Sequence, residues 1–219
     1  MAAREARAKL QALAAEAGLP AGTNYPPAEV FKQRYGMQAG NVIASATYVP
    51  TYRSPDQETG ASDNVTPFWM IGGTGAEVEV DTETGHVRII RLVNVADAGT
   101  PINPDIARTQ LSGGAVMALG ATLFEAVALD GGQVINASLS DYKIPAMHDV
   151  PAMLNELVAA RQRNGPFGAK GVGESGSFSV APAVANAIAD AVGVRLMQLP
   201  LTPEAVLRAL RARDNRPLD

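Results

Sequence analysis

The spacing of hydrophobic and polar positions changes several times along the chain, and each spacing predicts a different element. Residues 2–17 are rich in alanine with leucines on one helical face, which predicts a helix that ends at Gly18. A second short helix is predicted through Val30 and Phe31, after a pair of prolines. The β-branched alternation over 41–49 predicts a strand.

The clearest β pattern in the chain is a hairpin. Residues 76–80 (AEVEV) alternate, residues 81–85 (DTETG) have the composition of a turn, and residues 86–96 alternate again. Three glycines between positions 72 and 75 predict a bulge or the close approach of another backbone. The polar stretch 51–65 predicts a long loop, and loops of this length in compact domains often carry function.

Helical spacing dominates after the hairpin. Asn103 is a suitable N-cap for a helix that contains several glycines, and glycine inside a helix predicts close packing or a ligand. Residues 178–192 predict a second helix, residues 194–200 a short strand, and Thr202 the cap of a closing helix. Hairpins combined with segregated helices predict an α+β fold.

The residues just before the glycine-rich start of the hairpin allow two interpretations. Phe68, Trp69 and Met70 are large and apolar, and aromatic residues at this place usually pack, so we favour strand core. The alternative is that they line the approach to a substrate site.

Composition excludes several classes of function. The chain has 219 residues, 47 % of them hydrophobic and 18 % charged, which suits one large globular domain or two small ones. Its net charge of −4 predicts no basic surface for a nucleic acid. With no cysteine and only two histidines, the chain has no thiolate ligand for a metal or an iron–sulfur cluster and few imidazole ligands.

The sequence shows no targeting or membrane signal. Charged residues at positions 4, 5, 7 and 9 interrupt the apolar segment that a signal peptide needs. No stretch approaches the ~20 apolar residues of a membrane-spanning helix. We therefore expect a cytoplasmic protein with no membrane partner.

The segment GAKGVGESG (168–176) places one carboxylate, Glu174, in a glycine-rich loop just before a helix. Unpaired N–H groups at a helix start attract anions, and glycines let a ligand approach the backbone closely. A carboxylate held there keeps its charge, which suits a general base. The alternative is that Glu174 only caps the helix, since acidic residues are common near helix starts.

Established short motifs do not fit this loop. A phosphate loop of the Walker type requires Ser or Thr after its lysine, whereas Gly171 follows Lys170. Ser175 lacks the G-x-S-x-G frame of a nucleophile elbow. A phosphate-binding module that uses residues 168–176 in another way stays open as an alternative.

Several motifs, taken in order, resemble the molybdenum hydroxylases, the family of xanthine dehydrogenase, aldehyde oxidase and carbon monoxide dehydrogenase. The resemblance lies in the hairpin-to-helix segment at 76–114, SDYKIPAMHDVP at 140–151, GPFGAKGVGESG at 165–176 and the residues from there to 210. It implies the C-terminal part of the molybdopterin-binding large subunit.

The resemblance implies roles for individual residues. Glu174 matches the family's general base, which takes a proton from a hydroxyl group on molybdenum. Gln110 matches the glutamine that hydrogen-bonds the pterin cofactor, and Gly171, Val172 and Gly173 match the backbone wall beside the metal. No residue of the chain is expected to ligate the metal. Without the resemblance, Gln110 would be a polar residue that caps a helix turn.

The resemblance also implies an oxidoreductase that works with partner chains. It predicts hydroxylation of an aldehyde or an N-heteroaromatic small molecule with oxygen from water, using the molybdenum cofactor, expected in its cytosine dinucleotide form. The [2Fe–2S] clusters and FAD are expected on an iron–sulfur subunit and a FAD subunit. The N-terminal half of the large subunit is expected on a separate chain. The alternatives are a truncated fragment and a non-catalytic structural or assembly subunit, and the initiator methionine favours a natural split subunit.

These expectations divide the chain into three parts. Residues 1–50 are an N-terminal helical segment leading into a strand, residues 51–65 a loop, and residues 66–219 the molybdopterin-binding C-terminal domain. Lys170 is expected either to brace the glycine-rich loop or to contact the cofactor.

Overall fold

The computed structural model of the chain describes residues 1–22, 32, 36, 42–47, 49, 51–163 and 165–215. The chain divides into two compact units, Met1–Pro67 and Phe68–Asp219, and each unit is described by itself. The boundaries predicted at residues 50 and 65 stay predictions.

The first unit contains the first predicted helix and the predicted polar loop. Helix α1 (Ala2–Glu16) confirms that helix, and Gly18 beyond it has a φ of +70°, as is usual for glycine after a helix. The loop at 51–65 is folded back on itself, because the Arg53 N–H donates to the Asn64 carbonyl over 2.7 Å. The loop is therefore ordered by its own backbone.

The strand predicted over 41–49 is wrong for the residues that the structure describes. Residues 42–47 and 49 lie in no strand, since no described segment of this unit pairs with them. The exposed Ile43 instead accepts a hydrogen bond at its carbonyl from the Lys9 ammonium over 2.8 Å. The second predicted helix lies almost entirely outside the described residues.

The second unit is built around a three-stranded sheet in the order β1–β2–β5. Strands β1 (Gly72–Val80) and β2 (Val87–Asp97) form the predicted antiparallel hairpin, and β1 begins earlier than predicted. Two short strands, β3 (Leu129–Asp130) and β4 (Gln133–Val134), pair with each other. Strand β5 (Ala152–Val158) pairs in parallel with β2.

Close backbone approach, one of the two consequences predicted for the glycines before the hairpin, is present at Gly72. A Cβ on Gly72 would lie 2.7 Å from the Val95 carbonyl oxygen and 3.2 Å from the Phe178 ring, whereas Gly73 and Gly75 have open space around them. The strand register is unbroken at these glycines and shifts between Glu77 and Val78, where no irregularity was predicted.

Three helices complete the second unit, and the α+β prediction is confirmed. Helix α2 (Pro104–Leu123) packs against β5 and against α3 (Val180–Val192), which in turn packs against β1. Helix α4 (Pro203–Arg213) adds its apolar face to the same core. Among the described helices, none is both long and apolar enough to cross a membrane. Fully buried side chains of this core are Leu92, Leu119, Val180, Val184, Ile188 and Val206.

The predicted caps start two of these helices. The Asn103 side chain accepts from the Ile106 N–H over 3.1 Å at the start of α2. The Thr202 hydroxyl accepts from the Ala205 N–H over 3.2 Å at the start of α4. Local chemistry therefore fixes where these helices begin.

The short strand predicted at 194–200 is wrong. This segment is irregular, and its alternating apolar residues are divided between core and solvent, with Val194 buried and Met197 exposed. Its end is attached to α2 instead of to a strand, because the Leu201 N–H donates to the Thr122 carbonyl over 2.7 Å. Burial of individual side chains thus replaces strand pairing.

A chain of polar side chains crosses the sheet inside the second unit. The Thr74 hydroxyl donates to Asn94 Oδ1 over 3.0 Å, and Asn94 Nδ2 donates to Asn155 Oδ1 over 2.9 Å. Asn155 Nδ2 then donates to the Ser112 hydroxyl of α2 over 2.7 Å, and Thr74 also hydrogen-bonds Ser179 at the start of α3. Because Asn94 faces Thr74 and Asn155 in the strand register, this chain specifies the pairing of all three strands.

We expect Asn94→Ala to lower the free energy of unfolding by about 1–3 kcal/mol, because Asn94 is buried and its loss takes one hydrogen-bond partner from each of the half-buried residues Thr74 and Asn155. Urea unfolding of the full chain measures the change. Thr109→Ala is the matched control, since its exposed hydroxyl donates only to the carbonyl of Asp105 in its own helix, and its effect should stay within about 0.5 kcal/mol. Equal effects of the two substitutions would contradict a structural role of the polar chain.

Candidate functional site

The glycine-rich loop is attached to the end of strand β2 by backbone hydrogen bonds. The Lys170 N–H donates to the Ala98 carbonyl over 3.0 Å, and the Thr100 N–H donates to the Gly168 carbonyl over 2.8 Å. Between these bonds Gly99 has a φ of +62°, and a Cβ there would overlap the Gly168 carbonyl oxygen. Glycine at position 99 is therefore required both by conformation and by space.

A buried ion pair reinforces this attachment. The Lys170 ammonium lies 2.6 Å from Asp97 Oδ2, and the two side chains are only 11 % and 9 % exposed. The other carboxylate oxygen, Asp97 Oδ1, accepts from the Gly99 N–H over 2.9 Å. Asp97 is the last residue of β2, and its side chain thus joins the end of this strand to the following turn and to the glycine-rich loop.

The environment of Asp97 keeps its carboxyl group ionised. Burial by itself raises the pKa of Asp97, but hydrogen bonds from Lys170 and from the Gly99 N–H, with the lysine charge, outweigh burial and lower the pKa below its ordinary value. Because the folded-state pKa is the lower one, this stabilisation is present above the ordinary aspartate pKa. It is lost as the pH falls through the folded-state pKa.

The loop then crosses helix α2 at close range. Gln110 Nε2 donates to the Gly173 carbonyl over 2.8 Å. A Cβ on Gly114 would lie 3.3 Å from the Gly176 Cα, and a Cβ on Gly176 would overlap the Leu111 carbonyl oxygen. The predicted close packing is therefore present at Gly114, whereas Gly113 has open space around it.

A groove of about 490 Å³ lies between the start of α2 and the loop. Its walls are mainly apolar, and Gln110 and Lys170 contribute polar groups. Three of the five predicted site residues line the groove: Gln110, Val172 and Gly173. Gly171 and Glu174 do not line it, but each is adjacent in sequence to a residue that does. The other lining residues are Ala98, Pro101, Ile102, Asn103, Ile106, Ala107 and Ala169.

The Glu174 carboxylate is exposed and has no hydrogen bond or ion pair to any residue that the structure describes. Helix α3 begins at Val180 with Ser179 as its N-cap residue, and no side chain caps it. The alternative in which Glu174 only caps this helix is therefore wrong. Only its backbone carbonyl is used locally, as the acceptor for Ser177 N–H over 3.1 Å and for the Ser177 hydroxyl over 2.9 Å.

The residues from Gly171 to Gly176 present a row of backbone amides. Within the described part of the chain, none of these six N–H groups donates a hydrogen bond. Ser175 is 3 % exposed, and its hydroxyl has no partner there either. A run of unpaired donors beside a Gln side chain fits a ligand rich in hydrogen-bond acceptors, such as a phosphorylated pterin.

Asp97 was not predicted as a site residue, and the core position favoured for two residues before the hairpin is wrong. Trp69 and Met70 are 68 % and 41 % exposed, so they are not strand core as favoured. Phe68 lies near the loop, since a Cβ on Gly171 would come within 3.2 Å of its ring. The available signal for Asp97 was a lone carboxylate at the end of an apolar strand, but its lysine partner lies far along the chain.

No metal centre is formed by the chain's own side chains in the described residues. No three His, Asp or Glu residues come together there, and the sequence has no cysteine.

Comparison with known proteins identifies a family for most of the chain. The sequence profile of the molybdopterin cofactor-binding domain matches residues 1–151. This range includes Gln110 and ends before the glycine-rich loop. A probable hypoxanthine oxidase of Escherichia coli strain K12 is 37 % identical over 155 residues, which cover 69 % of this chain and 16 % of that protein.

Solved structures show the same fold. The aldehyde oxidoreductase of Desulfovibrio gigas is 34 % identical over 73 % of this chain, with a TM-score of 0.66, and 17 % of its own chain is covered. A Cu,Mo-CO dehydrogenase superposes on 99 % of this chain with a TM-score of 0.74, but its 23 % identity shows the fold alone. This chain covers 29 % of that structure, so it spans only part of the length of the proteins it matches.

We expect Gly99→Ala to destabilise the second unit. The backbone conformation alone should cost about 1–3 kcal/mol, and the overlap with the Gly168 carbonyl oxygen should add to that cost. Gly113→Ala is the matched control, because this exposed helical glycine has open space around it and should gain about 0.5–1 kcal/mol. Thermal and urea unfolding of the full chain measure both changes. A stable Gly99→Ala protein would show that the loop is not held as described.

Proposed function

The chain belongs to the molybdopterin cofactor-binding domain family, as the resemblance to the molybdenum hydroxylases predicted, and from this we propose that it forms part of a molybdenum hydroxylase. In this proposal, Gln110 and the loop 171–173 bind the cofactor, and Glu174 is the general base. The observation that supports it most is the hydrogen bond from Gln110 to Gly173, which brings residues from two separate motifs to one groove.

The residues around the groove have donors and acceptors suited to the cofactor. When bound, the cofactor supplies the metal centre for a two-electron oxidation in which oxygen from water is incorporated. The amides of Gly171, Val172 and Gly173 donate to it, because they have no partner among the described residues. Gln110 uses its Nε2 on Gly173, which leaves its Oε1 to accept from the pterin.

We propose that the Glu174 carboxylate would accept one proton in the oxidation for which the bound cofactor would supply the metal centre. This carboxylate is exposed on this chain and engaged by no described residue, so it is available to a reacting group. The neighbouring carbonyl of Gly173 is fixed by Gln110, and the carbonyl of Glu174 itself by Ser177. The base is thus carried on a backbone that is held on both sides of it.

The proposed substrate is an aldehyde or an N-heteroaromatic compound. Ile102, Ile106 and Val172 give the groove apolar walls that suit a flat or small apolar molecule. The names of two relatives, a probable hypoxanthine oxidase and an aldehyde oxidoreductase, cover these two substrate classes. For either substrate class the task of the base is the same, which is to accept one proton.

Partner chains are part of the proposal. The matched proteins are several times longer than this chain, and we propose that the remaining part of the large subunit is a separate chain. The [2Fe–2S] clusters and FAD would lie on an iron–sulfur subunit and a FAD subunit, and the cofactor would carry a cytosine dinucleotide. Cytoplasmic location stays a prediction of the sequence.

The chain, purified natively with the chains that bind it, should contain molybdenum by elemental analysis. Glu174→Gln should keep the molybdenum and the partners but lower kcat by about 10²–10⁴-fold, because the carboxylate can no longer accept a proton. Glu83→Gln, an exposed glutamate in the hairpin turn, is the matched control and should leave kcat unchanged.

Two outcomes would contradict the proposal in different ways. Full turnover by Glu174→Gln, with molybdenum bound, would indicate a non-catalytic assembly subunit. A metal-free protein that binds inorganic phosphate at residues 168–176 would instead indicate the phosphate-binding module, for which the unpaired amides provide the donors.

A further inference from the structure

The short segment between Lys170 and Gly173 has no hydrogen bonds of its own to described residues, so its position depends on how its two ends are held. The downstream end is fixed by the Gln110 side chain on the Gly173 carbonyl. The upstream end is fixed by the Lys170 N–H on Ala98 and by the ion pair with Asp97. Removing either anchor would free the backbone of the segment that leads to Glu174.

The ion pair is unusual for its burial. By contrast, the ion pair between Arg91 of β2 and Glu77 of β1 spans 3.0 Å with side chains 61 % and 55 % exposed. Lysine is rarely buried unless it is paired, and buried pairs on average add little to stability compared with apolar residues of the same size. The buried pair is therefore better explained by what it orients than by the stability it gives.

We infer that Lys170 and Asp97 are positioning residues whose ion pair sets the conformation of loop 170–174 and thereby places Glu174 beside the groove. Lys170 is directed into the fold toward Asp97, with its ammonium 2.6 Å from that carboxylate. It acts through the backbone of its own loop and not by contact with the reacting atoms. The catalytic part of this inference rests on the proposed function, and the structural part does not.

The test uses the full chain with the partners that co-purify, and it compares four variants. Lys170→Met removes the charge. The double variant Asp97→Asn with Lys170→Met removes both charges, while the side-chain amide oxygen introduced by Asp97→Asn can still accept from the Gly99 N–H. Lys170→Arg keeps the charge. The control is the double variant Glu77→Gln with Arg91→Met, which removes the exposed ion pair between β1 and β2.

Amide hydrogen exchange is the first measurement, because it does not depend on activity. We expect the Lys170 and Thr100 amides, which donate between the two segments, to exchange about tenfold faster or more in Lys170→Met. The amides of β1 and the centre of β2 should not change. If Lys170→Met fails to fold, the double variant decides. Faster exchange of the amides at positions 100 and 170 would support the inference, and exchange at the wild-type rate would overturn it.

Turnover is the second measurement. At unchanged molybdenum content, we expect both variants without Lys170 to lose about tenfold or more in kcat with KM within about threefold, and Lys170→Arg to restore most of the loss. The control pair should behave as wild type in both measurements. Unchanged exchange at Lys170 and Thr100, or full kcat with a loosened loop, would overturn the inference. A metal-free wild-type protein would contradict the proposed function, whereas the exchange data would still decide whether the pair positions the loop.

Discussion

The buried ion pair between Asp97 and Lys170 is the contact on which the geometry of the site depends. It joins the end of a central strand to a loop far along the chain, where backbone bonds at Ala98 and Gly168 also meet. A buried carboxylate is costly without partners, and here three donors, counting the Ala160 N–H, hold it ionised. From this anchor the loop runs toward helix α2, where Gln110 holds the Gly173 carbonyl.

The chain's topology brings the remaining parts to the same place. Strands β2 and β5 run in parallel, and Asp97 pairs with Val158 at their common carboxyl end. A parallel connection requires a crossover, and helix α2 provides it, starting just beyond β2. In open α/β sheets, ligands bind outside the carboxyl ends of parallel strands, and the groove lies at the same end of the parallel pair formed by β2 and β5. The hydrogen-bonded side chains of Thr74, Asn94 and Asn155 keep the three strands in register.

The sequence predicted the elements that local chemistry decides and failed where distant contacts decide. The hairpin turn, the cap at Asn103 and the cap at Thr202 each act within a few residues, and all were predictable. The segment 194–200 has the composition of a strand, but the structure provides no partner strand for it among the described residues. The site residues Glu174 and Gln110 were found through the order of several motifs, and their functional roles stay predictions. Asp97 was missed because nothing near it in the sequence indicates a lysine as its partner.

The exposure of the groove has a consequence for how the site would work. A carboxylate in open water is a weak base, and general-base catalysis gains most where solvent is excluded. Glu174 is exposed here, and so are Ile106 at the groove and Met117 further along the same helix. The described residues therefore supply one wall of a site, with a fixed amide donor, a held backbone and a free carboxylate. Under the proposed function, the remainder of a large subunit would bring both the cover that removes water and the apolar surface that meets these side chains.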